Sequence, residues 1–167
     1  SYVHISYYDE TNGDLKYATN ATGSWEAITL DASAWDTNGH TSIAVDLNDK
    51  VHISYHDSTN GDLGYATNIS GSWVISWPDT SGDVGQYNSI ALDSTNNAHI
   101  SFYDATNLTV KYITNGSGSW VTQTISFNRS VTTATSIAWE TTGILHISFD
   151  AHNESTHVNE LMYYSVQ

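Results

Sequence analysis

The sequence predicts an all-β fold, a β-propeller of four-stranded antiparallel blades, on three observations. The string His-Ile-Ser recurs at His4, His52, His99 and His146, at spacings of 48, 47 and 47 residues. A fixed period in the forties is the mark of a propeller or a solenoid. Each period holds four short β-rich runs separated by turn residues, which is the strand count of a propeller blade. Strong helix formers are scarce beside the β-branched and aromatic residues, Asn, Gly, Ser and Thr, so nothing reads as a helix.

The first strand of the repeat, A, is Thr41-Ser42-Ile43-Ala44-Val45-Asp46, matched by Ser89-Ile90-Ala91-Leu92-Asp93 and Ser136-Ile137-Ala138-Trp139-Glu140. Such short apolar runs are expected to be buried on both faces. Their small Ser and Ala suit the crowded axis of a propeller. Strand B is Val51-His52-Ile53-Ser54-Tyr55-His56-Asp57, with counterparts starting at Val3, Ala98 and Leu145. Its alternation puts His, Ser and position 56 on one side and Val, Ile and Tyr on the other.

Strand C is Leu63-Gly64-Tyr65-Ala66-Thr67, matched by runs starting at Leu15, Val110 and Leu161. Strands B and C are joined by Thr11-Asn12-Gly13-Asp14 and by Thr59-Asn60-Gly61-Asp62. Asn-Gly between two β-rich runs is a strong hairpin signal, since both residues tolerate positive φ. Strand D opens with Gly-Ser-Trp at Trp25, Trp73 and Trp120. One Trp per blade near the wider rim is expected to fill the gap between blades, a sugar-stacking platform being the alternative.

The strands read B-C-D, A-B-C-D, A-B-C-D, A-B-C, giving blades over residues 1–40, 41–87, 88–134 and 135–167. That is about three and a half blades of an incomplete ring. The two partial blades both contain B and C and cannot merge into one. The reading is therefore an excerpt of a longer propeller, or a protomer completed by other copies of itself. The start at Ser1-Tyr2-Val3, inside a repeated strand and without methionine, fits a processed product or an excerpt.

Four basic against eighteen acidic residues give a net charge of −14. That excludes nucleic acid as the expected partner, because phosphate binding needs clustered Lys and Arg. It also disfavours anionic membrane surfaces, and no apolar run approaches the ~20 residues of a membrane span. There is no cysteine, so neither a disulfide nor thiol chemistry enters.

These residues resemble a repeat of large secreted and cell-surface proteins of archaea and bacteria. Its form is Ser-Ile-Ala-x-Asp, His-Ile-Ser-Tyr-x-Asp, Thr-Asn-Gly-Asp-Leu-x-Tyr-Ala-Thr and Gly-x-Trp, and the resemblance covers nearly the whole chain. It implies a β-propeller on an extracellular protein and carries no catalytic residues to transfer. There is no Gly-His with Trp-Asp, no paired-glycine kelch signature and no Ser-x-Asp-x-Gly-x-Thr-Trp box of sialidase-like propellers.

The four strand-B histidines are expected to be structural. Equivalent residues of adjacent blades stand too far apart to share a zinc ion at ~2.0 to 2.1 Å, and a buried histidine finds a hydrogen bond, here with a neighbouring loop. Residues that break the repeat are the better ligand-binding candidates: Trp35, Asp36, His40, His56, His152 and His157. All lie on or near the B–C and D–A loops.

Asp9, Asp14, Asp57 and Asp62 cluster oxygens around the Asn-Gly turns. The register fails an EF-type loop, and Asp before such a turn is ordinary hairpin chemistry. No cofactor is expected, with calcium at these four the alternative. Asn-x-Ser/Thr occurs at Asn20, Asn68, Asn107, Asn115, Asn128 and Asn153. Three of these, Asn20, Asn68 and Asn115, fall at the same C–D turn, where a sugar would project into solvent. Turn geometry accounts for Asn there equally well.

No Gly-x-Ser-x-Gly, His-Glu-x-x-His or phosphate-cradling glycine loop is present, so no catalytic residue is named and no enzyme is expected. The functional expectation is an extracellular propeller acting as a structural or recognition scaffold, its partners further blades, other copies, glycans or surface proteins. A carbohydrate-binding lectin, a glycosylated subunit of a filament or surface layer, and a glycosidase are the alternatives.

Overall fold

The computed structural model describes residues 2–34, 39–125, 130–153 and 156–166, and their side chains except at 130–133 and 153. Every regular element among them is a β-strand. In chain order they are β1 (His4–Asp9), β2 (Asp14–Thr19), β3 (Glu26–Asp31), β4 (Thr41–Val45), β5 (Val51–Asp57), β6 (Asp62–Thr67) and β7 (Val74–Asp79). There follow β8 (Val84–Leu92), β9 (Ala98–Asp104), β10 (Thr109–Thr114), β11 (Val121–Ile125), β12 (Ser130–Trp139), β13 (Leu145–Asn153) and β14 (Val158–Val166).

They form four antiparallel meanders: β1-β2-β3, β4-β5-β6-β7, β8-β9-β10-β11 and β12-β13-β14, hereafter sheets 1 to 4. The 3-4-4-3 count matches the partial and complete blades expected from the repeat. Sheets contact their sequence neighbours chiefly through the inner strands β1, β4, β8 and β12. Ser42 Oγ accepts from Ile90 N and Ser89 Oγ from Ile137 N, both at 3.2 Å. Small residues at the narrow side of the fan permit that approach.

Sheets 1, 2 and 3 each pack their front, bearing the strand-B His and Ser and the strand-C Tyr, on the rear of the next. Three clusters of buried apolar side chains fill the three gaps. Trp73 sets its ring edge-on to Tyr17 at 4.9 Å, and Trp120 meets Tyr65 likewise at 5.0 Å. Trp73 and Trp120 thus fill the gaps between blades, whereas Trp25, on the rear of sheet 1, is 58% exposed and fills none. In sheets 2 and 3 both sides of strand B are buried, because a sheet stacks against each. The alternation of strand B therefore separates front from rear rather than core from solvent.

Four local expectations need correction. The two Asn-Gly B–C connections are four-residue loops in which glycine alone takes positive φ, 72° at Gly13 and 76° at Gly61. Asp9 O and Asp57 O accept the glycine N–H at 2.8 Å, so these are not two-residue hairpin turns. Strand A is longer than its apolar run: β8 begins at Val84 and β12 at Ser130, ahead of the expected boundaries at 88 and 135. The added residues are bulged, with register shifts from Val84 to Ser89 and from Val131 to Thr135, which hides them from a period-2 reading. β4 is only half-buried rather than buried on both faces. Strand D starts one residue after its Trp, at Glu26, Val74 and Val121.

Candidate functional site

The strand-B histidines are explained by architecture, though not by the loop partner expected. In every sheet Nδ1 meets the strand-C tyrosine hydroxyl: His4 to Tyr17 at 2.6 Å, His52 to Tyr65 at 2.5 Å, His99 to Tyr112 at 2.6 Å and His146 to Tyr163 at 2.5 Å. The carboxylate that ends strand A stands on the other side, Asp93 at 3.5 Å from His99 and Glu140 at 3.1 Å from His146. Burial lowers the pKa of His52 and His99, against the pull of Asp46 and Asp93. It pushes the Tyr65 hydroxyl up to about 12. At His52 and His99 burial therefore favours the neutral imidazole.

The serine of His-Ile-Ser ties each blade to the next. Ser6 Oγ accepts from Thr41 Oγ1 at 2.9 Å, Ser54 Oγ donates to Asn88 Oδ1 at 2.6 Å, and Ser101 Oγ pairs with Thr135 Oγ1 at 2.9 Å.

What the fold brings together outside this repeat lies at the B–C and D–A end of the inner strands. His40 packs on Tyr87 with centroids 4.2 Å apart, His56 lies 6.4 Å from His40, and Tyr103 lies 6.4 Å from Tyr87. Tyr8 donates its hydroxyl to His56 O at 2.5 Å and completes a row across sheets 1, 2 and 3. His56 Nε2 meets Asp83 Oδ1 at 3.2 Å, and Gln86 Nε2 donates to both oxygens of Asp83 at 3.2 and 3.0 Å. His56 is buried, Asp83 half-exposed, and the tyrosines lie between. Tyr87 takes a left-handed φ of 52° beside Gly85 at 100°. Such a backbone costs a non-glycine residue about 1–3 kcal/mol and gathers at functional positions.

Of the sequence candidates, His40 and His56 thus share one site. His152 and His157 pair elsewhere, with centroids 6.1 Å apart and His152 Nδ1 on Asn159 Oδ1 at 2.9 Å. Trp35, Asp36 and Asn128 lie outside the described residues, as does the side chain of Asn153. Sequence reading missed Tyr8, Asp83, Gln86, Tyr87 and Tyr103. A signal was present: the position of His56 reads Tyr8, His56, Tyr103 and Asp150 through the repeat, whereas the position before it is always aromatic and the one after it is Asp in three repeats of four.

The acidic turns are self-sufficient. Asp57 accepts from Thr59 N at 2.9 Å and Asn60 Nδ2 at 2.7 Å, and Asp9 from Thr11 N, Asn12 Nδ2 and Lys16 Nζ. Hydrogen bonds from Asn12 and Lys16 hold Asp9 at about 2. Asp14 accepts from Thr29 Oγ1, and burial with the nearby Asp57 and Asp79 charges raises Asp62. Among the described residues no three His, Asp or Glu side chains are grouped to hold a metal ion.

The sequon residues Asn20, Asn68 and Asn115 each accept the first N–H of strand B, at Val3, Val51 and Ala98, all at 2.8 Å. Asn107 instead turns its amide nitrogen onto Asp104 at 2.8 Å. Between sheets 2 and 3, on the face of these turns, lies a cleft of about 450 Å³ whose walls include Asp46, His52, Tyr65, Asn97 and Asn115. Trp139 occupies the matching place between sheets 3 and 4, 4.7 Å from His99.

No family model and no curated protein matches this chain. Solved structures do. A fucose lectin from Kordia zhangzhouensis, in complex with methyl-fucoside, superposes with a TM-score of 0.56 at 17% identity, over 75% of this chain and 92% of the lectin. An alpha-L-arabinofuranosidase from Clostridium thermocellum superposes with a TM-score of 0.52 at 14% identity. That match covers 99% of this chain and 64% of the enzyme, so the chain spans less than two thirds of its length. Both are β-propellers, and at these identities the likeness is one of fold. The chain is an all-β propeller whose four described blades form an open, incomplete ring.

Proposed function

We propose that this chain is a non-catalytic recognition module of a secreted or cell-surface protein, and that it takes a neutral saccharide at the row of Tyr8, His40, His56, Tyr87 and Tyr103. The observation that carries the reading is the convergence of these residues with Asp83 and Gln86, at positions where the repeat varies. Tyrosine rings offer flat faces for the C–H side of a sugar. The imidazoles, the carboxylate of Asp83 and the amide of Gln86 supply the mixed donors and acceptors that hydroxyl groups need.

A net charge of −14 disfavours an anionic glycan. The fold likeness to a protein described as a fucose lectin and to an arabinofuranosidase supports the same ligand class. The sequons at Asn20, Asn68 and Asn115 support an extracellular setting.

Glycan-array screening followed by calorimetry tests the reading. Binding of a neutral saccharide is expected, weakened at least ~10-fold, or ~1.4 kcal/mol, by Tyr87→Ala or His56→Ala and unchanged by His152→Ala. Binding that survives both row substitutions but is lost in His52→Ala moves the site to the cleft between sheets 2 and 3. No binding to any glycan sinks the saccharide reading, and release of reducing sugar from a bound glycan sinks the non-catalytic one.

A further inference from the structure

The two end faces of the blade stack are uncovered halves of one repeated contact. On the front of sheet 4, Leu161 is 82% exposed and Tyr163 59%, whereas their counterparts Leu15 and Leu63 are at 0% and Tyr17 and Tyr65 at 7% and 6%. On the rear of sheet 1, Val3, Ile5 and Trp25 are 45%, 42% and 58% exposed, whereas Val51 and Ile53 in sheet 2 are at 0%. Within the chain these same positions meet each other: Trp73 packs on Tyr17 and Trp120 on Tyr65. Val51 and Ile53 share one cluster with Leu15 and Tyr17. Each internal gap buries what the ends leave in water.

We propose that the rear of sheet 1 seats on the front of sheet 4 of a second copy of this chain, head to tail, with Trp25 edge-on to Tyr163 and with Val3 and Ile5 over Leu161. The chemistry of the occupant is read from the internal contacts, whose continuation it is. Exposed apolar faces of this kind mark interaction sites. A head-to-tail contact closes a ring where its rotation permits, and two copies related by a twofold along the propeller axis would make two such junctions. Sheet 1 brings no strand A to the junction, so the part that Thr41, Asn88 and Thr135 play for Ser6, Ser54 and Ser101 is not supplied to Ser148. The junction is accordingly weaker than an internal gap, and the assembly depends on concentration.

Light scattering on the chain across a concentration series tests the proposal, with Trp25→Ala and Leu161→Glu as variants. Both side chains face solvent in the single chain, so circular dichroism and melting are expected to stay those of the parent. The parent is expected to reach at least twice the single-chain mass, and each variant alone to stay at the single-chain mass. An equimolar mixture of the two variants regains one intact junction, so a mixed dimer is expected to return. A parent that stays monomeric at every concentration overturns the proposal and leaves the faces to blades of another sequence. So does an assembly that neither variant disturbs, or a mixture that fails to pair.

Discussion

The ring of Tyr55 lies flat against the backbone of Gly64, so close that a Cβ added at residue 64 would stand 2.2 Å from Cζ of the tyrosine. The two are directly paired across β5 and β6, and the Tyr55 hydroxyl reaches past the glycine to donate to Asp31 at 2.8 Å. Sheet 3 solves the same problem with other residues. There Phe102 faces Lys111, whose Nζ meets Asp104 at 2.8 Å and Asp79 at 3.2 Å. Asp31 and Asp79 both end a strand D, so each internal blade anchors the carboxylate of the one before it.

Gly64→Ala is expected to destabilise the fold by about 1–3 kcal/mol, because the buried ring cannot retreat from the methyl group. Pairing Gly64→Lys with Tyr55→Phe copies the sheet 3 arrangement and is expected to recover most of that loss. Chemical denaturation of the three proteins measures both, and a double variant no better than Gly64→Ala disproves the equivalence.

Lys111→Met is expected to cost about 3–5 kcal/mol, since two buried carboxylates would lose their shared cation. Burial lowers the Lys111 pKa, yet its hydrogen bonds to Asp104 and Asp79 win and raise it. The same variant should be less harmful at low pH, where the carboxylates take up protons. A urea midpoint that falls equally at all pH values contradicts the ion-pair account.

Leu108→Gly is expected to stabilise the chain by about 1 kcal/mol. Leu108 holds a left-handed φ of 55° at the loop position where Gly13 and Gly61 sit, with its side chain in water. Relief of that strain outweighs the chain entropy that glycine adds to the unfolded state. A rise in the melting temperature checks it.

Stability is expected to decline as the solution is acidified below pH 6.5, the ordinary histidine value, because burial holds His52 and His99 below it. The unfolded chain then binds protons that the folded chain refuses, so folding is fully favoured above that pH and loses ground below it. His99→Gln is expected to flatten the slope. A second decline is expected between 3.8 and about 2, where Asp93 titrates: burial raises its pKa, but hydrogen bonds from Asn97 and Thr95 more than offset that. Melting curves across this range resolve the two steps.

Asn68→Ala is expected to lose about 1 kcal/mol with the bond to Val51 N, whereas Asn68→Asp keeps an acceptor and loses less. Equal melting of the two variants removes the turn-geometry explanation for this sequon.

The repeat itself wrote down the strand order, the open 3-4-4-3 count and the place of Trp73 and Trp120, because side-chain alternation and turn chemistry are local and recur with the blade. His-Ile-Ser was legible as a blade marker. Its partners were not: Tyr65 lies 13 residues from His52, and Asn88 lies 34 residues from Ser54 in the next sheet. The candidate site was half legible. His40 and His56 stood out by breaking the repeat, while Tyr87 and Tyr103 became neighbours of theirs only through stacking.

Pattern alone could place a residue on the front or rear of its strand. Only the tertiary structure decided whether that side met another blade or water, which is why Tyr65 is buried and Tyr163 exposed on equivalent strands. The physical reason is that burial between blades depends on the sheet stacked beyond, and a repeat of one blade carries no local record of whether another follows.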